Sequence, residues 1–260
     1  MSRISWLSVL AIDLPKFFAE RNQEIEDYLK FLTNVEEAAR LGPPKFQGTG
    51  AAITPVQKKI LSSGLYVQLY NLIEATVLQC LASIASELEE AECIPSQFSA
   101  KLRAEWVRSM ARTHEGSLSS DHRLQAALEL CEQLLQKLPV TRFEINVGGG
   151  GNWDDHSIED ICKRVGCDLA LSPDVRMAVK RHMRDDMGAL KLVKDRRNQL
   201  AHGKVSFVEC SDDVTVGELK ELAESVSNYL GELVESFVRF IEIEVTENAT
   251  RSEQKGVITL

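Results

Sequence analysis

The sequence predicts an all-α bundle. Two long apolar seams at helical spacing carry that reading, together with the proline and glycine signals that separate the segments between them. Leu65, Leu69, Leu72, Thr76, Cys80, Ile84 and Leu88 recur every three or four residues, the period at which side chains stack on one face of a helix. Leu219, Leu222, Val226, Tyr229, Leu233, Phe237 and Phe240 repeat the pattern near the C-terminus. Against them, one short stretch, Arg142-Phe143-Glu144-Ile145-Asn146-Val147, alternates like a strand.

The elements follow in order. Residues 1–41 form a helical arm that stops at Leu41-Gly42-Pro43-Pro44. The apolar stretch from Ile4 to Ile12 is short, is followed by Asp13 and Pro15, and reads as helix rather than signal peptide. Residues 42–57 are a linker. Thr54-Pro55 supplies an N-cap and first helical residue, and the helix it opens runs to about Glu92. That helix is apolar nearly all round, so it belongs at the centre; Asn71 and Glu74 are polar intrusions one turn apart. The helical domain spans residues 58–248. Within it, helices are expected over 98–112, 123–138 and 157–165, with a small strand and Gly-rich insertion at about 140–168. The four glycines 148–151 are not followed by Gly-Lys-Ser/Thr, so a phosphate-loop reading has little behind it. Ser172-Pro173-Asp174 caps a helix expected to continue unbroken to Ala201 or His202 and close at Gly203. A last helix covers 216–247, and 249–260 are a frayed tail.

A chain of 260 residues suits one large domain, or one domain with an attached arm. No apolar run reaches the roughly 20 residues of a membrane helix, so no membrane partner is expected. The six cysteines are scattered, without disulfide-framework or zinc spacing; they read as buried, reduced thiols in a cytoplasmic protein. A net charge of −9 argues against broad nucleic-acid affinity. The charge is uneven, however. Residues 176–204 hold nine Lys/Arg and three Asp, a local +6, which leaves −15 on the remainder.

That basic segment contains Lys194-Asp195-Arg196-Arg197-Asn198-Gln199-Leu200-Ala201-His202-Gly203. Arg is a permanent cation with forked donors suited to phosphate, and His exchanges a proton near neutral pH. On a helical wheel Arg197 falls on the face of Leu190, Met183 and Met187. An Arg there needs a partner, a cavity or a second subunit. Lys180, Arg184, Lys191, Asn198 and His202 form a flanking basic track. Arg197 and His202 point about 140° apart on a rigid helix. The same residues also suit ordinary capping of a helix C-terminus by basic side chains and Gly.

Arg197-Asn198-x-x-x-His202, at the end of one helix and before the last, resembles the signature of the HEPN superfamily (higher eukaryotes and prokaryotes nucleotide-binding domains). Leu69-Tyr70-Asn71-Leu72-Ile73-Glu74-Ala75-Thr76-Val77 is similar to the first core helix of its bacterial MAE-like subfamily. Gly151-Asn152-Trp153-Asp154, with Ile158 and Ile161, looks like the subfamily's middle insertion. The resemblance spans roughly residues 60–245. It implies a HEPN-like helical bundle that forms a homodimer and cleaves RNA without a metal or other cofactor. Arg197 and His202 of both copies would meet at the interface as catalytic residues, with Asn198 beside them. Glu74 and Asn71 are the expected orienting residues, although Glu74 equally suits a structural salt bridge to Arg197. Lys180, Arg184, Lys191, Lys194 and Arg196 are the expected RNA-binding residues. The implied setting is a toxin–antitoxin or antiviral defence system, with an antitoxin or defence protein as a further partner. The alternative is a non-catalytic helical module that binds a partner protein or a nucleotide. No metal is expected: His114, His122, His156 and His182 lack ligand spacing, and Asp154-Asp155-His156 is at best a weak cluster.

Overall fold

A computed structural model describes residues 13–111, 119–148 and 152–256, with side chains to 251. The apolar stretch before Asp13, His114 and Gly149 to Gly151 lie outside the described residues. Nine α-helices appear among those described: α1 (Leu14–Leu41), α2 (Pro55–Glu90), α3 (Ala100–Met110), α4 (Ser120–Gln136), α5 (Asp155–Val165), α6 (Pro173–Lys180), α7 (Ala189–Ala201), α8 (Phe207–Cys210) and α9 (Val216–Gly256).

The sequence signals explain where most of them begin. The Thr54 hydroxyl accepts from the Gln57 backbone while the Gln57 side chain accepts from the Thr54 N–H, a reciprocal cap that satisfies two otherwise orphaned donors. Ser172 caps α6 ahead of Pro173 in the same spirit. All seven residues of the α2 seam are buried, and so are those of the α9 seam. By length and composition α2 could span a membrane, but 61% of its most apolar window is buried inside the bundle.

α1, α2 and α9 pack along one another as the main layer. Leu14, Ile25 and Leu32 of α1 are buried in the common core, so the expected arm is packed into the domain. Tyr28 Oη donates to the Leu61 carbonyl at 2.6 Å, and a Cβ on Gly64 would meet that hydroxyl at 2.9 Å. Glycine lets α1 and α2 approach there. α7 and α8 lie on α2, α6 lies on α9, and α3 joins α4 and α5.

Four expectations are corrected. First, no strand forms over residues 142–147. Phe143 and Ile145 are buried as alternation predicts, yet the amides of Phe143 and Glu144 are met by side chains. The Phe143 N–H donates to Glu89 Oε1 at 2.7 Å and the Glu144 N–H to Ser109 Oγ at 3.0 Å. Second, the helix opened at Ser172 breaks at Lys180. Residues 181–188 turn back on themselves, with Met183 N–H bonded to the Met187 carbonyl and Met187 N–H to the Arg184 carbonyl, both at 2.9 Å. Asp185 and Asp186 take φ of 51° and 55°, the paired left-handed conformation of a type I′ turn. Third, α9 continues past Glu247 to Gly256. Asn248 is buried, and its amide accepts from the Ile94 N–H and donates to the Ile94 carbonyl. Fourth, all six cysteines are free, but Cys131 is exposed rather than buried.

Candidate functional site

α7 is placed by its two ends. Its N-cap is Gly188, where a Cβ would lie 2.4 Å from the Val179 carbonyl oxygen. Only glycine allows α7 to start against the end of α6. The first turns then bury Ala189, Leu190, Leu192 and Val193, and from Lys194 onward the polar residues are half-buried at the helix edge. His202 caps the C-terminus, its N–H bonded to the Asn198 carbonyl at 3.0 Å, with its side chain exposed. Gly203 follows at φ 65°, the left-handed position that ends a helix.

The guanidinium carbon of Arg197 stands 3.5 Å from the centre of the Tyr70 ring, a cation–π contact on a buried aromatic. Tyr70 is therefore the α2 residue beneath Arg197. Glu74, one turn further, is half-buried, and Asn71 is exposed. The Tyr70 hydroxyl accepts the Trp153 N–H at 3.2 Å. The insertion thus touches the same tyrosine whose ring carries Arg197.

Two more contacts tie the insertion to α7. Asn198 Nδ2 donates to Asn152 Oδ1 at 3.2 Å, and Lys194 forms a partly buried ion pair with Asp154. Asp154 also caps α5, accepting the Ser157 N–H at 2.9 Å. Burial pushes the Asp154 carboxyl up, but hydrogen bonds from Lys194 and Ser157 outweigh it and hold the group below its ordinary value. Residues 152–154 and Lys194, Arg197 and Asn198 therefore form one clamp centred on Tyr70.

The sequence reading named Arg197 and Asn198 but gave Tyr70 and Trp153 no role. Asp154 belongs to the insertion motif and to a weak metal cluster by sequence, and here its partner is Lys194. His156 pairs with Asp160 at 3.4 Å, and no group of three His, Cys, Asp or Glu side chains suited to a metal occurs among the described residues. A signal for Tyr70 did exist: it follows Tyr66 by four residues on a helix otherwise lined with aliphatics, and Trp153 is the one aromatic in the Asn-Trp-Asp stretch.

The basic track does not survive the break after α6, because its members no longer share a helix. Lys180 ends α6 and pairs with Glu159 at 3.5 Å. Arg184 sits in the turn and donates to the Asp212 carbonyl at 3.3 Å. Arg196 pairs with Asp185 and reaches Gln199 Oε1 at 3.2 Å. Lys191 is exposed on α7. Much of the local positive charge is thus met by nearby acids or carbonyls.

An all-helical bundle with Arg-Asn-x-x-x-His at the end of a short helix, beside an insertion, is the arrangement expected of a HEPN-type domain. The chain belongs to the HEPN_MAE_28990-like HEPN family, whose sequence profile matches residues 12–245. The match takes in α1, which the resemblance drawn from the motifs left outside. No curated protein and no solved structure matches the chain.

Proposed function

We propose that this protein is a metal-independent endoribonuclease that works as a homodimer. The observation that carries the reading is Arg197 held on the Tyr70 ring at 3.5 Å, with Asn198 beside it and an exposed His202 one turn on. A guanidinium fixed in place before substrate arrives stabilises charge on a phosphoryl group without reorganising. An exposed imidazole at a helix end is free to reach a bound strand.

In the reaction the RNA's 2′-hydroxyl attacks the adjacent phosphorus. The new P–O2′ bond forms as the P–O5′ bond breaks. His202 takes the 2′-hydroxyl proton or delivers one to the leaving 5′-oxygen, roles typically worth ~10²–10⁴-fold. Arg197 binds the phosphoryl oxygens, and Asn198 holds the phosphate or orients His202. Products carry 2′,3′-cyclic phosphate or 3′-phosphate ends. Lys180, Arg184, Lys191, Lys194 and Arg196 are proposed to guide the strand, and Glu74 and Asn71 to orient the catalytic pair.

Two features support a dimer. Arg197 and His202 diverge by about 140° on a rigid helix; a second copy of the helix would bring their heads together, as would Arg197's long side chain with a loosened helix end. α2 also keeps an exposed face on which Val67 (40%) and Leu78 (41%) flank Asn71 and Glu74, an apolar strip with a polar centre suited to a second copy. The proposed setting is a cytoplasmic toxin or defence system with a cognate partner protein. The second reading, a non-catalytic module binding a protein or nucleotide, draws on the pairing of Lys180, Lys194 and Arg196 with acids.

The test is incubation of wild type, Arg197→Ala and His202→Ala with total RNA and EDTA, followed by mapping of the cut ends. Cutting by the wild type alone, leaving 2′,3′-cyclic or 3′-phosphate ends, is expected. Cutting that persists in both variants, or that stops with chelator, contradicts the proposal. An inert wild type favours the binding module.

A further inference from the structure

We propose that α4 carries a second self-association face: an apolar stripe that pairs antiparallel with the same stripe of another copy of this chain. Leu124 (60% exposed), Leu128 (55%), Leu135 (83%) and the exposed Cys131 lie on it, and Leu138 continues it just past the helix end. The first four lie within about 60° of Leu128 on a helical wheel, at the spacing of a coiled-coil seam. The stripe shares no residue with the α2 face or the α7 site, so it stands apart from the proposed nuclease dimer.

The stripe is surplus to the fold. Ala126 is the buried residue of α4, and Leu130 and Leu134 pack on the core from the same side. Leu135 stands nine residues from Ala126, half a revolution round the helix. The stripe therefore faces away from α3, on which α4 packs. Leucines so placed add nothing to the core and leave apolar surface in water, the mark of a contact surface.

Spacing and charge select a second copy as the occupant. From Leu124 to Leu135 the gaps are four, three and four residues, which read the same in both directions. A two-fold axis between Glu129 and Leu130 then sets Leu124 against the partner's Leu135 and Leu128 against the partner's Cys131, the self-complementarity an isologous interface needs. Asp121, in the first turn, is the charged residue nearest the line of the stripe. A parallel pair would set two Asp121 carboxylates side by side, whereas the antiparallel pair parts them by most of the helix. Glu132 falls beside the partner's Gln125, whose amide has a second N–H beyond its 3.1 Å bond to Glu129. Glu129 points about 130° from the centre of the stripe, and the other flank, Ala127 and Leu134, carries no charge. The stripe and its flanks would bury on the order of 1,000 Å² over both copies, the lower bound of a specific interface, so the pairing is weak and depends on concentration.

The test is sedimentation velocity of the full chain over a concentration series, with wild type, Leu128→Gln and Leu135→Gln. Both leucines are exposed, so neither substitution removes core packing. At the highest concentration wild type should reach at least twice the mass of either variant. Association should be about tenfold or more weaker in each variant, because each substitution removes an apolar contact twice in the pair. The two Cys131 lie about 4.5 Å apart along the helix axes in this register, so a short bis-maleimide should join wild-type copies. It should fail to join Cys131→Ser, whose other five cysteines are buried. Equal masses for wild type and both variants overturn the proposal, and so does cross-linking that does not need Cys131. RNA cleavage by Leu128→Gln and Leu135→Gln should match wild type, which separates failure here from failure of the nuclease reading. Cleavage lost together with association would put the catalytic dimer at α4 and overturn the claim of a second face.

Discussion

Arg197 lies over the ring of Tyr70 at 3.5 Å, and the hydroxyl of that ring holds the backbone of Trp153 at 3.2 Å. One buried tyrosine therefore joins three elements: the central helix, the insertion and the helix that carries the signature. The two functions of the side chain are separable. The ring face serves Arg197 and the hydroxyl serves the insertion.

Tyr70→Phe keeps the face and removes the acceptor. It should cost about 1–3 kcal/mol of stability, the penalty for a buried donor left unmet, and retain most RNA cleavage. Tyr70→Leu removes the face, and cleavage should fall about tenfold or more with little loss of RNA affinity. Urea unfolding and single-turnover cleavage measure the two effects. Equal cleavage by both variants would show that the ring does not position Arg197.

The Lys194–Asp154 pair predicts a pH signature. The folded carboxyl lies below its ordinary value of 3.8, so it stabilises the fold above the unfolded value and loses that contribution as pH falls through the folded one. Asp154→Asn keeps a competent N-cap and removes the charge. The stability gap between wild type and Asp154→Asn should be constant above about pH 5 and shrink as pH drops below about 4. Urea midpoints at a series of pH values read it. A gap that widens on acidification would contradict the ion pair's role.

Gly188 and Gly203 end opposite sides of α7 for different reasons. A Cβ at Gly188 meets a backbone oxygen at 2.4 Å, whereas one at Gly203 meets open space at φ +65°. Gly188→Ala should cost the larger amount, about 1–3 kcal/mol with displacement of α7. Gly203→Ala should cost only about 1–2 kcal/mol, from backbone strain. Thermal unfolding ranks them, and the reverse order would mean that α7 does not start where α6 ends.

The contrast between these residues shows what was legible in the chain. The seams of α2 and α9, the Thr54-Pro55 start and the Ser172-Pro173 start follow from local spacing and capping chemistry, and all of them stand. The break after Lys180 was hidden because Met183, Met187 and Leu190 fall on one helical face by coincidence. Asp185-Asp186 lacks the glycine that usually marks a type I′ turn, and a lone Gly188 inside a helical pattern reads as tolerated. Phe143 and Ile145 alternate because alternate residues are buried, and a ladder partner is a property of the whole fold. Nothing local marks Asn248 as buried, because its burial depends on Ile94, 154 residues away. Tyr70 could be seen as aromatic, but what stacks on it depends on where α7 lands.

Replacing Asp185-Asp186 with Asn-Gly should stabilise the protein by about 0.4–1 kcal/mol, since both residues favour the left-handed conformation seen there. Asp185 also pairs with Arg196, so Asp186→Gly alone is the cleaner variant. A loss of stability from Asp186→Gly would favour a continuous helix through this segment.

The proposal that the catalytic groups come from two copies has a direct test in subunit mixing. Arg197→Ala and His202→Ala proteins, each inactive and each dimeric, are mixed, allowed to exchange subunits and given RNA with EDTA. A mixed dimer keeps one intact Arg197 and one intact His202 on different copies, so partial cleavage should return. A mixture that exchanges subunits yet stays as inactive as its parents would contradict a site shared across the interface.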